Sequence, residues 1–205
     1  DVALADEALC QKIADIGLRR ERVPCLVLGD IPVAINTVGR LTGREAEAAD
    51  LAARLSADVE AFRGRSRNAT NRPRVYIEIW CDPLTTVGKT SYISELVALA
   101  GGNNIGDESD RDYYQVGPEW VVKRNPDVIL CLYSAGSGMA AGSTASPGAV
   151  RGAVLKRSEW SVVNAVRPGR IYDDLDCNLV LRPGPRVAQS LTLLEERIHR
   201  PGADA

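Results

Sequence analysis

The chain has 205 residues, 45% of them hydrophobic, and a formal net charge of −2. That length buries a good core and suits one or two domains. The charge balance argues against a surface that tracks a nucleic-acid backbone, and the lack of eighteen consecutive apolar residues argues against a transmembrane helix.

In chain order, Val2–Ala5 reads as a buried strand and Glu7–Leu18 as a helix, with Leu9, Ile13 and Ile16 at helical spacing. The apolar run Pro24–Leu28 reads as a second strand, Gly29-Asp30 as a turn and Ile31–Leu41 as a short helix. Two βα units with short connections predict a parallel sheet. Two strands make a poor domain alone, which suggests further sequence upstream of residue 1.

A long helix should follow. Thr42 with Glu45 three residues later is a capping-box pattern, and no Gly or Pro interrupts the chain between Gly43 and Gly64. Leu51, Leu55, Val59 and Phe62 form one apolar stripe on an otherwise charged rod roughly 33 Å long. Either it is a spine joining two lobes or it flanks one sheet; the polar break GRSRNATNRP after it favours the spine.

Beyond the break, Arg74–Trp80 (RVYIEIW) is a strand and Lys89–Ala100 a helix stopped by Gly101-Gly102. Pro118–Arg124 is a short helix, and Asp127–Tyr133 (DVILCLY) a buried strand. After a Gly/Ser/Ala-rich loop come a helix to about Lys156, a connector through Trp160, a strand at Arg170–Tyr172 and a terminal amphipathic helix, Pro185–Ile198. The fold class is α/β, with residues 1–41 as the remainder of one lobe, 42–66 as the connecting helix and 72–200 as a second α/β lobe.

Several motifs resemble chemistry without completing it. Pro83–Thr90 (PLTTVGKT) ends like a phosphate-binding loop, but the position five residues before Gly88 is Pro83, which fixes φ and has no N–H. Gly136, Gly138 and Gly142 miss a dinucleotide fingerprint by one residue. The acidic runs Asp107–Asp112 and Asp173–Asp176 match no calcium loop and read as solvated turns. His199 is the only histidine, so no Ser-His-Asp triad or two-His metal site can be built. Five scattered cysteines include no C-x-x-C pair. No catalytic residue, resident cofactor or metal site is expected. A nucleotide-binding, Rossmann-like enzyme is the rival reading.

What remains is a set of residues at strand ends, where open α/β sheets bind ligands: Trp80, Cys81 and Asp82 after one strand, Tyr133 and Ser134 after another, and Asn178 before the last helix. Aromatic planes there suit a large flat ligand. Packing at the sheet rim is the alternative for each.

The segments DVALADEA, LTGREAEA, PLTTVGKTSYISELVALAGGNNI, PEWVVKRNPDVIL and RPGPR, in register over nearly the whole chain, resemble the substrate-binding proteins of cobalamin and iron-siderophore ABC importers. The resemblance implies two parallel-sheet lobes joined by one backbone helix, with residue 1 falling late in the first lobe. It implies a ligand held between the lobes by Asp6, Glu7, Gly29 and Asp30 from the first and by Trp80, Cys81, Asp82, Pro83, Tyr133, Ser134, Asn178 and Leu179 from the second. The implied partners are the ABC importer's membrane permease and a corrinoid, with a ferric siderophore or haem as alternative and tyrosine as the remaining haem ligand. No nucleic acid is implied. The protein would be a periplasmic or lipid-anchored monomer. Such proteins often dock through one acidic residue per lobe; the position ahead of RPGPR is Leu181, so Asp173, Asp174 or Asp176 would have to substitute.

Overall fold

A computed structural model describes residues 23, 25–133 and 148–200, and the backbone of 2–4 and 19–21. The expected Glu7–Leu18 helix and the glycines of 136–142 lie outside the described residues. The chain divides into two compact units, residues 1–60 with 183–185, and 61–182 with 186–205.

In the first unit β1 (Val2–Leu4) pairs in parallel with β2 (Arg19–Glu21). The second strand is therefore not Pro24–Leu28. Residues 25–28 run into a turn in which the Asp30 carboxylate accepts the amides of Leu26 at 2.8 Å and Val27 at 3.1 Å, diverting them from any ladder. Helix α1 (Asp30–Thr42) follows, close to expectation. Thr42 is its last residue rather than the next helix's cap: its hydroxyl donates back to Val38 and Gly39 carbonyls, and Gly43 ends the helix at φ 69°. A β-carbon on Gly39 would sit 2.3 Å from the Ala48 Cβ, so this glycine permits the close approach of the two helices.

Helix α2 (Glu45–Asn68) carries the chain from the first unit into the second as 24 uninterrupted residues. Its buried stripe is Ala48, Ala52, Leu55, Val59, Phe62 and Ser66, alternating steps of four and three. Leu55, Val59 and Phe62 lie on it as expected, while Leu51 is only half-buried and Ala52 takes its place on the inward face.

The second unit is built on a six-stranded sheet. β3 (Arg74–Cys81) lies at its centre, parallel to β7 (Val128–Cys131), which is parallel in turn to β8 (Ile171–Tyr172). On its other edge β3 meets β5 (Asn103–Asn104) at its start and β4 (Leu84–Val87) at its end, the latter antiparallel and followed outward by β6 (Tyr113–Gln115). Helix α3 (Tyr92–Leu99) packs against α7 (Val187–His199). A Cβ on Gly102 would come within 3.2 Å of Val97, Val75 and Ile198, which places these two helices on the Val75 face of β3. The opposite face is a cluster of Tyr76, Ile129, Cys131 and Tyr133 with Val121 of α4 (Pro118–Arg124), Val150 and Val154 of α5 (Ala149–Leu155) and Trp160 of the 3-10 turn Ser158–Val162.

Covered on both faces, β3 does not alternate between core and solvent: Tyr76 and Glu78 are as buried as Val75 and Ile77. Trp80 is 38% exposed because it lies past a register shift between Glu78 and Trp80, at the strand's end.

Arg74 and Asp127 tie the starts of β3 and β7 together. The carboxylate accepts from the Arg74 amide at 2.9 Å and from its guanidinium at 3.0 and 3.1 Å, with Asn164 adding a bond at 3.0 Å. Partial burial works to raise the Asp127 pKa, but these hydrogen bonds and the Arg74 charge outweigh it and hold the carboxyl at about 2. A depressed folded-state pKa gives stability that is complete above pH 4 and lost as pH falls toward 2. Solvent screening of this part-exposed pair limits the contribution to about 1 kcal/mol. Urea midpoints measured at pH 7, 4 and 2.5 should drop mainly over the last interval, and Asp127→Asn should flatten that drop; equal slopes in both proteins would contradict the assignment.

Candidate functional site

The central observation is a carboxylate in the middle of an apolar strand. Glu78 of β3 is fully buried, and a buried charge requires a partner. Arg157, just after α5, supplies it through two parallel bonds, Nη1 to Oε2 at 2.7 Å and Nη2 to Oε1 at 2.8 Å. The Tyr133 hydroxyl donates to Oε1 at 2.5 Å, and the Arg157 guanidinium lies 4.4 Å from the centre of the Trp160 ring. Burial first, then the Glu78 charge and its hydrogen bond, push the Tyr133 pKa far up; burial and the same charge do so for Tyr76. The Tyr133 hydroxyl is thus engaged as a donor to Glu78.

Above this group a pocket of about 500 Å³ opens at the carboxyl end of β3. Its walls are Cys81, Asp82, Pro83 and Leu84 from the β3–β4 turn, Val116 and Pro118 before and at the start of α4, and Arg157 through Trp160. Leu84, Val116, the two prolines and the indole give it apolar sides, while Asp82, Ser158 and Glu159 give it polar ones. The Asp82–Pro83 peptide is cis.

Three of the residues expected from the sequence, Cys81, Asp82 and Pro83, therefore meet in one pocket. Trp80 stands beside them, its indole N–H donating to the Asp82 carbonyl at 2.9 Å. Tyr133 lies beneath the pocket as part of its support. Asn178 and Leu179 belong to the short helix α6 (Cys177–Val180) and are not among the pocket's walls: their amides are capped by the Asp176 carboxylate, and the Leu179 carbonyl accepts from Ser190 at 2.7 Å. In the first unit Gly29 is open, with nothing within 4 Å of a built Cβ, and Asp30 is occupied by its own loop, whose two amides hold its carboxyl below the usual range. Asp6, Glu7 and Ser134 lie outside the described residues. Arg157, Ser158, Glu159 and Trp160 are the contributors that sequence reading missed.

The apparent phosphate loop resolves into a hairpin. Leu84–Val87 is itself a strand, and the next amides are taken: Gly88 N donates to Asp112 O and Lys89 N to Ser109 O, each at 2.9 Å. The acidic run is the hairpin's partner, with Asp112 accepting from Thr90 at 2.6 Å and Asp107 from Asn104 at 2.7 Å. Among the described residues no cluster of three metal-type side chains exists.

A family model described as periplasmic binding protein matches residues 9–176. The chain belongs to the periplasmic binding protein family. Members of this family capture solutes rather than transform them, so the rival enzyme reading is set aside. Among this periplasmic binding protein's relatives is the ABC transporter substrate-binding lipoprotein YvrC of Bacillus subtilis, 27% identical over 97% of the chain, which spans 62% of that relative's length. Among solved structures, the periplasmic heme-binding protein RhuT from Roseiflexus sp. RS-1 superposes with a TM-score of 0.80 at 25% identity, over 97% of this chain and 75% of that one. The periplasmic vitamin B12-binding protein BtuF of Vibrio cholerae gives 0.69 at 20% identity, over 96% and 72%, and shows the fold alone.

The carboxylates expected to replace the docking acid of such a protein are already engaged. Asp173 accepts the Arg151 amide at 2.8 Å, Asp174 pairs with Arg197 at 2.9 Å, and Asp176 caps α6.

Proposed function

We propose that this chain is the solute-capturing component of an ABC importer, that it binds a metal chelate, and that a corrinoid is the first choice, with a ferric siderophore or haem as the alternative. It would act as a monomer in the periplasm or from a lipid anchor and deliver its ligand to the membrane permease. Among the described residues no helix is long and apolar enough to cross a membrane. The three-part organisation, with α2 as the rigid connection between lobes, belongs to this proposal.

The observation that carries the reading is the open pocket of about 500 Å³ at the carboxyl end of β3 in a member of this family. A corrinoid needs apolar walls with a few fixed polar groups, and the pocket supplies both. The Tyr133 hydroxyl, engaged by Glu78, is not free to meet a ligand's metal.

Titration of the protein with cyanocobalamin, a ferric hydroxamate and haem, followed by tryptophan fluorescence, tests it. Saturable quenching by one of them supports the proposal, and no binding to any of the three overturns it. Trp80→Ala should weaken the productive ligand by about 1–2 kcal/mol, roughly tenfold, since an aromatic plane at the rim is lost. The half-exposed indole contributes little to the core, so the melting temperature should barely move. Intact affinity with a melting point several degrees lower would return Trp80 to the core.

A further inference from the structure

The charge distribution around the pocket carries one step more, and that step rests on the binding reading above. Among the described residues that wall the pocket, Arg157 is the only one with a cationic side chain, and both arms of its guanidinium are committed to Glu78, which is itself fully buried. The pair is neutral, and its cation is not available to a ligand. Two other ionisable walls, Asp82 and Glu159, are exposed and have no ion-pair partner among the described residues. The two carboxylates thus line the pocket without a salt-bridge partner among the described residues.

We infer that this pocket selects a neutral or cationic metal chelate and rejects a polyanionic one, the discrimination coming from the unpaired Asp82 and Glu159 carboxylates while Glu78 withholds Arg157. Repulsion by fixed charges of one sign is a means of specificity in its own right, separate from any contact the preferred ligand makes. Because both carboxylates are exposed, the preference is salt-dependent and strongest when the Debye length exceeds the pocket's width.

Four probes of graded charge test it: ferrioxamine B as a cation, cyanocobalamin as a neutral chelate, haem with its two propionates, and ferric enterobactin as a trianion. Dissociation constants are measured at low and at high salt for the wild-type protein and for the double variant Asp82→Asn, Glu159→Gln. The expected result is that the best of the first two binds at least about tenfold tighter than either anion at low salt. In the double variant, or at 1 M salt, that ratio should shrink severalfold. Tightest binding by haem or ferric enterobactin would overturn the inference while leaving the chelate-binding proposal standing, and so would a ratio unmoved by the double variant. Failure of all four to bind would overturn both together.

Discussion

Replacing Arg157 with Ala should cost the protein about 3 kcal/mol of stability and lower its melting temperature by roughly 10 °C. The reason is the carboxylate left behind. Glu78 is fully buried, and among the described residues its carboxylate accepts two hydrogen bonds from Arg157 and one from Tyr133. An uncompensated buried charge is among the few defects that destabilise a domain this much. The Arg157 side chain is 22% exposed, so water can partly replace it, which places the effect at the lower end for a broken buried pair. Arg157→Ala also strips the cation from the Trp160 face, a smaller loss. Combining Arg157→Ala with Glu78→Gln should recover part of the stability, because the amide oxygen still accepts from Tyr133 and no charge remains. Urea denaturation of the four proteins closes a double-mutant cycle, with a coupling of at least about 1 kcal/mol expected. Additive effects of the two substitutions would mean that the pair does not hold this site together.

Much of the second unit was legible because its elements are strongly patterned. Pro118–Arg124 was placed to the residue: Pro at the first helical position and Asn125 in the left-handed conformation after the last bracket it in the sequence itself. β3 and β7 were found as apolar runs of the kind that parallel strands buried on both faces require. Burial of both faces leaves β3 without a solvent side, so the exposure of Trp80 comes from its place past the register shift at the strand's end. Strands β4, β5 and β6 were missed because they have two to four residues, carry little hydrophobic pattern and depend on pairing with β3 and with one another.

Local ambiguity explains the misplaced elements of the first unit. Apolar Pro24–Leu28 has strand composition, but the Asp30 carboxylate three and four residues past the Val27 and Leu26 amides captures them in a turn. Thr42 with Glu45 has capping-box spacing, yet Gly43 gives the preceding helix a left-handed stop, and the Thr42 hydroxyl serves that helix instead. In each case two local solutions competed, and spacing alone did not separate them.

The candidate site was half legible. Cys81, Asp82 and Pro83 follow from the rule that ligands gather at carboxyl ends of strands, and the pocket is there. Arg157 carried no pattern of its own among 25 Lys and Arg residues. Its one signal was indirect: a glutamate inside RVYIEIW demands a buried cation, without saying which. That partner lies 79 positions further along the chain, a separation no periodicity spans.

If the pocket beside the Glu78–Arg157 pair receives the ligand, blocking that pocket should weaken binding without unfolding the protein. Ser158 lines the pocket, is exposed, and its hydroxyl makes no hydrogen bond among the described residues, so Ser158→Trp places an indole in the opening with little cost to the fold. Isothermal titration with cyanocobalamin and ferrioxamine B should show affinity reduced at least about tenfold, a loss of 1.4 kcal/mol or more. The melting temperature should stay within about 2 °C of the wild type, as for other surface changes. Unchanged affinity in a correctly folded Ser158→Trp protein would contradict the claim and move the ligand away from this pocket.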